Sequence, residues 1–447
     1  MKKLFGTDGI RGEAGKFPLD EKTIEIIGSS LAKQVCKETG KAANFVIGRD
    51  TRESGEWIEK AFCKGITREK ANCVSAGIIT TPGIAYLTNA ENFDAGIVIS
   101  ASHNPFEDNG IKIFSPTGKK ISRETEEQIE KDIRNSGQWS VVSGQSVDIS
   151  KVSEYQQKYL EHLANEFDGL SLSGLKIVVD CANGAASKLA PELFKNFGAE
   201  VVTIFDQPNG RNINKDCGSL HLDKLQAKVI EENADFGVAF DGDADRSLFV
   251  DEKGNLVDGD GTLWIMAQYL HNEGNLNNDT VVATVMSNLG LEVALNSKNI
   301  KLLRTAVGDK YVLQELLNTN SSIGGEQSGH IIFPKRSLVG DGMQTALYLL
   351  EALQENNKTL SEMRNGFTQF PQILVNVHVK EKHPFEEVAE IMKAALETKK
   401  ELGETGRLLL RYSGTENLAR VMIEGENQTE IETQAQRLAD VIEKSLG

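Results

Sequence analysis

The chain has 447 residues, a length that suggests about three compact units with room for several buried cores. Lys and Arg total 49 against 65 Asp and Glu, so the formal net charge is −16. This acidic balance argues against a general nucleic-acid binder, whose affinity comes mostly from basic side chains that displace counterions. A composition of 39% hydrophobic and 26% charged residues is typical of globular chains and excludes a disordered one.

The N-terminal sequence and the cysteines predict a cytoplasmic protein. The segment MKKLFGTDGIRGE reaches Asp8 and Arg11 before an apolar run forms, so we expect no signal peptide. Nowhere do about 18 uncharged apolar residues run together, which argues against a membrane span or a membrane partner. The five cysteines lack a C-x-x-C pair or a metal-type spacing, so we expect buried thiols in a reducing compartment. They are Cys36, Cys63, Cys73, Cys181 and Cys217.

A strand–helix–strand pattern recurs three times along the chain. Each copy has a short β-branched run, a glycine-containing loop, an amphipathic helix and another apolar run. This βαβ signature predicts an α/β chain with mostly parallel sheets. The predicted copies are NFVIGRD, helix 54–69 and NCVSAGI; LKIVVDCANG, helix 185–197 and EVVTIF; and TVVATVMSN, helix 289–297 and KLLRTAVGD.

The pattern changes after residue 368. The order there is the strand ILVNVHVK, a helix over 384–401, the strands RLLLRYS and LARVMIEG, and a helix over 428–445. It predicts a smaller α+β domain of about 75 residues. Upstream, the polar Ser/Gly-rich stretch near 134–148 predicts the first domain boundary.

A polar loop, ASHNP, follows the apolar strand AGIVIS. Its proline cannot continue the strand, and Asn109-Gly110 predicts a second tight turn. We expect the Ser102 hydroxyl to stand off the sheet edge, with His103 beside it and Lys112 within reach after the chain turns back. Ser102 is therefore a candidate nucleophilic or phosphate-carrying serine. The alternative is an ordinary Asn-Pro loop with a solvated serine.

The segment DGDADR follows another apolar strand and places Asp241, Asp243 and Asp245 at alternate positions. Oxygen ligands in a looped backbone suit a hard cation such as Mg²⁺, and three adjacent carboxylates without a counterion would be costly. An EF-hand loop starting at Asp241 needs glycine at its sixth position, where Arg246 stands. A nucleophilic aspartate of the phosphatase kind and a solvated acidic turn are the alternatives. The pattern favours Mg²⁺ beside a phosphate.

The segment GGEQSGH carries groups that suit a sugar. Glu326 and Ser328 can accept and donate hydrogen bonds to vicinal hydroxyls, and His330 is a candidate proton carrier. The alternative for His330 is a structural histidine.

A fourth polar segment, RYSGTENLAR, predicts a phosphate-binding hairpin. Its backbone N–H groups and arginine forks are suited to an anion, whereas a simple Ser-Gly turn is the alternative. The usual nucleotide signatures are absent, which favours a sugar phosphate over a nucleotide. The candidate residues are Arg411, Ser413, Gly414, Thr415 and Arg420.

Together these motifs indicate phosphoryl transfer to or from a sugar phosphate, and they resemble those of the α-D-phosphohexomutase superfamily and, within it, of the bacterial phosphoglucosamine mutases. The similarity runs from FGTDGIRG through ISASHNP, DGDADR and GGEQSGH to RYSGTENLAR. It implies four domains around a central cleft, the first three alike and the fourth a smaller α+β domain. The implied domains are 1–150 with the phosphoserine loop, 151–254 with the metal loop, 255–367 with the sugar loop and 368–447 for phosphate binding.

The resemblance also implies roles for these residues. Ser102 would be carried as phosphoserine, and Asp241, Asp243 and Asp245 would hold Mg²⁺ together with an oxygen of that phosphoserine. Glu326 and Ser328 would bind sugar hydroxyls. Residues that match positions near the transferring phosphate are Arg11, His103, Lys112 and Arg246, and the matches to proton carriers are Lys112 and His330.

The residues implied to bind the phosphate that is not transferred are Arg411, Ser413, Gly414, Thr415 and Arg420. One departure from the family pattern is Lys310 in AVGDKYV, where many relatives carry arginine. Lysine keeps the charge but loses the bidentate fork.

The implied activity is that of an isomerase that interconverts glucosamine 6-phosphate and glucosamine 1-phosphate through a phosphoserine enzyme. Glucosamine 1,6-bisphosphate would be the intermediate and activator, with one Mg²⁺ in each chain. The product would lead to UDP-N-acetylglucosamine and cell-wall precursors. The implied partner is a small hexosamine phosphate, with no nucleic acid or membrane, and a homodimer is compatible with the resemblance.

Other functions use the same residue types. A phosphomannomutase or phosphoglucomutase of the same superfamily would share the transfer machinery. A metal-dependent sugar phosphatase would use the same aspartates and release inorganic phosphate. A catalytically silent sugar-phosphate-binding protein would never carry a phosphorylated serine.

Overall fold

The computed structural model describes residues 3–135, 147–403, 405–413 and 417–447. The chain forms two compact units. Unit 1 comprises Met1–Met286 and Leu303–Asn365, and unit 2 comprises Ser287–Leu302 and Gly366–Gly447. The first boundary predicted from sequence, near 134–148, lies mostly outside the described residues, and the four domain limits stay predictions.

The first sheet has six strands. They are β1 (Phe5–Gly6), β2 (Gly9–Glu13), β3 (Asn44–Arg49), β4 (Asn72–Ile78), β5 (Ala95–Ile99) and β6 (Asp108–Phe114). The helices of this region are α1 (Glu21–Thr39), α2 (Gly55–Arg68), α3 (Thr81–Ala90) and α4 (Arg123–Arg134). The strand order is β1-β2-β6-β5-β3-β4, with β3 parallel to β4 and β5 and with β6 antiparallel to β5.

The second sheet repeats this plan. Its elements are α5 (Val152–Glu166), β7 (Lys176–Asp180), α6 (Ala186–Asn196), β8 (Glu200–Ile204), a 3₁₀ turn (Gly218–Leu220), α7 (Asp223–Glu232), β9 (Phe236–Phe240), β10 (Ser247–Asp251) and β11 (Leu256–Val257). The order is β11-β10-β9-β7-β8. Strand β7 is parallel to β8 and β9, and β10 is antiparallel to β9.

The third sheet has four strands. Its region contains α8 (Gly259–Asn272), a 3₁₀ turn (Asn277–Asp279), β12 (Thr280–Thr284), α9 (Leu289–Asn296), β13 (Lys301–Thr305), α10 (Asp309–Thr319), β14 (Ile323–Gly325), β15 (Ile331–Ile332), α11 (Gly342–Asn356) and α12 (Leu360–Met363). The order is β13-β12-β14-β15, with β14 parallel to β12 and antiparallel to β15.

The C-terminal part of unit 2 is an antiparallel sheet covered by helices. Its elements are β16 (Gln372–His378), a 3₁₀ turn (Phe385–Glu387), α13 (Ala389–Leu402), β17 (Arg407–Tyr412), β18 (Leu418–Glu424) and α14 (Gln428–Leu446). The order is β16-β18-β17. Val421 and Ile423 of β18 are buried with Ile391 and Leu438 of the helices, and Met422 on the other face of this central strand is also buried.

The three larger sheets share one arrangement. In each, a third parallel strand lies beside the first strand of a βαβ copy and is followed by an antiparallel fourth strand. The connection between the third and fourth strands carries a predicted motif every time. We call these connections tip loop 1 (100–107), tip loop 2 (241–246) and tip loop 3 (326–330). The predicted fold class, three similar α/β regions and a smaller α+β region, is confirmed. The expectation of mostly parallel sheets was wrong, because the first sheet has two parallel and three antiparallel strand pairs.

Two local expectations were wrong. Asn109 and Gly110 lie within β6 and form no turn, because Gly110 pairs with Arg11 of β2 and the chain reverses earlier, in tip loop 1. Cys63 of α2 and Cys73 of β4 form a disulfide with a Cα–Cα distance of 5.8 Å. Packing of α2 against β4 brings these two cysteines together, and their spacing in the sequence gave no sign of it. No helix among the described residues is both long and apolar enough to cross a membrane.

Candidate active site

Ser102 is buried at the start of tip loop 1, with only 1% of its surface exposed. Its backbone has φ 54°, a left-handed conformation that is uncommon for residues other than glycine. The hydroxyl Oγ donates to Asp241 Oδ2 at 2.5 Å and lies 3.3 Å from His103 Nδ1. The predicted nucleophile therefore stands directly against the first carboxylate of tip loop 2.

The three aspartates of tip loop 2 form one buried group. Ligand oxygens of Asp241, Asp243 and Asp245 lie within 4.8 Å of one another. Among the described residues, Asp243 Oδ1 and Asp245 Oδ1 are buried without a hydrogen-bond partner. Burial and the two neighbouring carboxylates raise the pKa of Asp241 well above its ordinary value. Buried, crowded carboxylate oxygens of this kind fit a divalent cation.

Gly242 allows tip loop 2 to approach tip loop 1 this closely. A Cβ atom at this position would lie 2.4 Å from the Ser102 carbonyl oxygen and 2.9 Å from Ile213 Cδ1. A backbone oxygen cannot move aside as a flexible side chain can, so any side chain here would separate the two loops.

Lys112 extends from β6 into the carboxylate group. Its Nζ lies 2.8 Å from Asp243 Oδ2, 2.9 Å from Asp245 Oδ2 and 3.1 Å from Asp8 Oδ2. Burial alone would lower the pKa of Lys112, but the three carboxylates outweigh burial and raise that pKa well above its ordinary value. Lys112 therefore stays protonated and offsets part of the negative charge of the group.

Arg11 is held by Asp8, a residue that the sequence did not single out. Arg11 Nη2 lies 2.5 Å from Asp8 Oδ2, and its Nη1 donates to the Ala101 carbonyl at 3.2 Å. The other oxygen of Asp8 accepts from Lys120 Nζ at 2.8 Å. Lys120 Nζ also donates to Asp309 Oδ2 at 2.6 Å. Burial raises the pKa of Asp8, but the surrounding lysines and Arg11 outweigh it and hold that pKa well below its ordinary value.

His103 and Arg246 contact each other beside Ser102. Arg246 Nη1 lies 3.1 Å from His103 Nδ1, and because a guanidinium has no acceptor, Nδ1 must accept. Burial first, and then the charges of Arg246 and Arg11, lower the pKa of His103 to about 4. His103 is therefore neutral near pH 7, with its proton on Nε2.

Tip loop 3 contains the predicted sugar-binding residues. Glu326 accepts from the Gly308 N–H at 3.0 Å through Oε1 and from Ser328 Oγ at 3.3 Å through Oε2. The Gly329 carbonyl accepts from the Ser247 N–H at 3.1 Å, which ties this loop to the end of tip loop 2. Ser328 and Glu326 are half-buried and present hydroxyl and carboxylate oxygens.

His330 ends tip loop 3 and is 5% exposed. Within the described part of the chain its Nδ1 has no hydrogen-bond partner. Lys310, the departure from the family pattern, lies on α10 with its Nζ 4.9 Å from the centre of the Tyr311 ring.

In unit 2, the predicted phosphate-binding hairpin joins β17 to β18. Arg411 and Arg420 are direct partners in the register of these strands, and Arg420 Nη2 lies 3.4 Å from Ser413 Oγ. Burial and the charge of Arg420 lower the pKa of Arg411. Two facing guanidinium groups favour an anion between them. Gly414 and Thr415 lie outside the described residues.

Thr81 is a further residue that sequence reasoning missed. Its hydroxyl donates to Asp243 Oδ2, and its N–H donates to the Asp243 carbonyl at 3.0 Å. Thr81 begins α3, where Thr80 caps the helix and Pro82 follows, so the segment TTPG suggests only a helix start. Its contact with a residue 162 positions away left no signal in the local sequence.

The chain matches the phosphoglucomutase/phosphomannomutase alpha/beta/alpha domains I, II and III over residues 2–139, 157–254 and 258–370. It matches the C-terminal domain of the same proteins over residues 374–441. It is 46% identical to a phosphoglucosamine mutase of Solibacter usitatus, covering 100% of this chain and 99% of the relative. It is 48% identical to a phosphoglucosamine mutase of Caldicellulosiruptor bescii, with 100% of both chains covered.

Among solved structures, the chain resembles a phosphoglucomutase/phosphomannomutase family protein from Burkholderia thailandensis. The TM-score is 0.80 at 25% identity, covering 99% of this chain and 97% of the other. The four matched domains follow one another along the chain, and the curated relatives match it over its whole length. Each of the first three matched domains contains one of the tip loops. The chain belongs to the phosphoglucomutase/phosphomannomutase family.

Proposed function

We propose that this protein interconverts glucosamine 6-phosphate and glucosamine 1-phosphate through phosphorylated Ser102 and a 1,6-bisphosphate intermediate. The observation that carries the proposal is the contact between Ser102 Oγ and Asp241 at the edge of a buried aspartate group. The full-length similarity to proteins named phosphoglucosamine mutase supports the choice of sugar.

The proposed metal is one Mg²⁺ in each chain. Asp241, Asp243 and Asp245 would hold it together with an oxygen of phosphorylated Ser102. Asp243 Oδ1 and Asp245 Oδ1, which are buried without a hydrogen-bond partner among the described residues, support this ligand set. When bound, the ion supplies positive charge beside the phosphoryl group.

Protein cations provide the rest of the neutralisation. A phosphoserine carries roughly −1.5 to −2 charges at neutral pH, so an anionic substrate can approach only where that charge is offset. Lys112 is protonated, and Arg11 and Arg246 reach Ala101 and His103 on either side of Ser102. We assign these three residues to the transferring phosphoryl group.

In the transfer step, the bond between Ser102 Oγ and phosphorus breaks as the 1-hydroxyl oxygen of glucosamine 6-phosphate forms its bond to phosphorus. The bonding electrons stay on Ser102 Oγ, which takes up one proton and ends as the hydroxyl that donates to Asp241, while the proton of the sugar hydroxyl passes to an acceptor. His330 is the better candidate, because its Nδ1 has no hydrogen-bond partner among the described residues, whereas Lys112 holds its own proton and His103 Nδ1 already accepts from Arg246. The bisphosphate then turns, and the reverse step returns its 6-phosphoryl group to Ser102.

The remaining assignments concern substrate binding. Glu326 and Ser328 would bind sugar hydroxyls, and Arg411, Ser413 and Arg420, with Gly414 and Thr415, would hold the phosphate that is not transferred. The proposal includes a cytoplasmic location, a homodimer and a small hexosamine phosphate as the partner, without nucleic acid or membrane. The net charge of −16 supports the absence of a nucleic-acid partner.

The test uses radiolabelled enzyme phosphorylated at Ser102. We expect label to appear in glucosamine bisphosphate and then in both monophosphates when glucosamine 6-phosphate and Mg²⁺ are added, and chelation to abolish transfer. Specificity constants for glucosamine, mannose and glucose 6-phosphates, each with its bisphosphate, identify the preferred sugar. Release of label mainly as inorganic phosphate would instead support a phosphatase, and failure to form any phosphoenzyme would support a silent binding protein.

A further inference from the structure

Arg52 is a buried arginine directly behind tip loop 1. It follows β3 and is 1% exposed. All five of its side-chain N–H donors are used, one on a carboxylate and four on backbone carbonyls of residues 102–108. Nε donates to Asp50 Oδ2 at 2.8 Å. Nη1 donates to the Pro105 carbonyl and, at 3.0 Å, to the Asp108 carbonyl. Nη2 donates to the Ser102 and Asn104 carbonyls, both at 2.9 Å.

Asp50 is the ion-pair partner of Arg52, and Ser100 links it to the N–H of Ser102. The carboxylate is fully buried and accepts from the Ser100 hydroxyl at 2.6 Å as well as from Arg52. Ser100 Oγ in turn accepts from the Ser102 N–H at 2.9 Å. The peptide groups before and after Ser102 are therefore both fixed, one through Asp50 and Ser100 and the other through Arg52.

Asn214 adds a second donor from the region of the second sheet. Its Nδ2 donates to the Ser102 and Asn104 carbonyls, both at 2.9 Å. A carbonyl oxygen has two lone pairs, and at both residues Arg52 and Asn214 occupy them. This set of contacts opposes relaxation of the left-handed backbone at Ser102, whose φ is 54°.

We infer that Arg52, with Asp50 and Asn214, is a positioning group for phosphoryl transfer that fixes the Ser102 peptide from behind without touching the phosphoryl group. The inference rests on the proposed function. The contacts keep Oγ, and the phosphorus bonded to it, in one orientation toward Asp241 and the attacking sugar oxygen. Transfer reactions are sensitive to such geometry, since a displacement of about 1 Å can lower a rate about 10²-fold.

The experiment measures single-turnover transfer of label from Ser102 to glucosamine 6-phosphate in Mg²⁺. It compares the wild type with Arg52→Lys, which keeps the charge but loses the fork, and with Asn214→Ala, which removes one amide. The matched control is Arg123→Lys, at a side chain that is 76% exposed and pairs only with Glu127 among the described ion pairs. Rate constant, amplitude and half-saturating sugar concentration are read separately.

We expect the rate constant to fall about 10²-fold in Arg52→Lys and about 10-fold in Asn214→Ala, with half-saturation changed less than about threefold. Arg123→Lys should match the wild type. A purely structural role would lower the amplitude, through loss of folded enzyme, and leave the rate constant at the wild-type value; that result overturns the inference. Should Arg52→Lys not fold, Asn214→Ala alone decides. A wild-type enzyme that transfers no label would contradict the proposed function itself, and the inference with it.

Discussion

Tip loop 1 in unit 1 and the β17–β18 hairpin in unit 2 both suit a phosphate, but they are constructed in different ways. In tip loop 1, Arg52 and Asn214 satisfy the carbonyls behind Ser102, so the loop is held before any ligand arrives. In the hairpin, Arg411 and Arg420 are cross-strand partners, and two like charges at paired positions favour a nearby anion. The first construction suits a covalently held phosphoryl group, and the second suits a phosphate that binds and leaves.

This difference predicts separate kinetic effects. Changes at tip loops 1 and 2 should lower kcat, because they affect the reacting atoms. Changes at the hairpin should raise KM, because they affect a group that is bound and not transformed.

The largest expected effect comes from Ser102→Ala. Without Oγ there is no atom to carry the phosphoryl group, so we expect kcat to fall about 10⁴-fold or more. Intact-mass measurement should show that the variant no longer takes up a phosphoryl group from the bisphosphate. The control is Ser171→Ala, at an exposed serine, which should keep both properties. Near-parental turnover in Ser102→Ala would show that Ser102 does not carry the phosphoryl group and that tip loop 1 is not the transfer site.

Gly242→Ala tests the close approach of tip loops 1 and 2. The added methyl would meet the Ser102 carbonyl oxygen at 2.4 Å, so the loops must separate and we expect kcat to fall about 10²-fold with little change in KM. Gly169→Ala is the matched control, since a Cβ there has nothing within 4 Å. Equal kcat values for the two alanine variants would show that the approach has no catalytic role.

Arg420→Ala tests the hairpin. Removing one of the two guanidinium groups should raise KM for glucosamine 6-phosphate about 10- to 100-fold while kcat changes far less. Arg437→Ala, on α14 with a side chain that is 46% exposed, should leave KM as in the wild type. A fall in kcat alone would place Arg420 in the chemical step and remove the contrast with tip loop 1.

The smallest effect on turnover is expected for Asp180→Asn, in the scaffold at the end of β7. Burial raises the pKa of Asp180 from 3.8 to about 6, so between these values the folded state binds more protons than the unfolded state. This carboxyl therefore makes the protein less stable as pH rises from 3.8 to 6. The variant should lack that part of the pH dependence, measured as unfolding free energies by chemical denaturation, with kcat unchanged. Parallel pH profiles for both proteins would contradict the assignment.

The motifs and elements near one another in the sequence could be predicted. Polar residues directly after apolar strands located tip loops 1, 2 and 3, and the spacing of Asp241, Asp243 and Asp245 indicated a cation group that the structure brings together. The helix and strand order was readable because each βαβ copy is local. The position of Lys112 near Ser102 was also predicted, because the chain turns back after tip loop 1 and β6 returns beside it.

Contacts between distant segments could not be predicted. The backbone acceptors of Arg52, on tip loop 1 and at the first residue of β6, lie 50 to 56 residues further along the chain. In the sequence DTRES, Arg52 looks like part of an ordinary loop. The position of α9 in unit 2 could not be predicted for the same reason. Asn288, which caps the start of α9, exchanges two hydrogen bonds with Phe370, 82 residues away. Local periodicity carries no information about such pairs.

The repeated hairpin position has a consequence for how this chain can change. The same strand connection occurs in all three larger sheets, and each copy holds different groups: the serine proposed to carry the phosphoryl group, three aspartates, and the residues proposed to bind sugar hydroxyls. Replacing Glu326, Gln327 and Ser328 while keeping His330 is expected to change sugar preference, with the pairing of strands β5 and β6 that flank Ser102 unaffected. We therefore expect new sugar specificities from exchanging these three residues, with Ser102, the three aspartates and His330 kept.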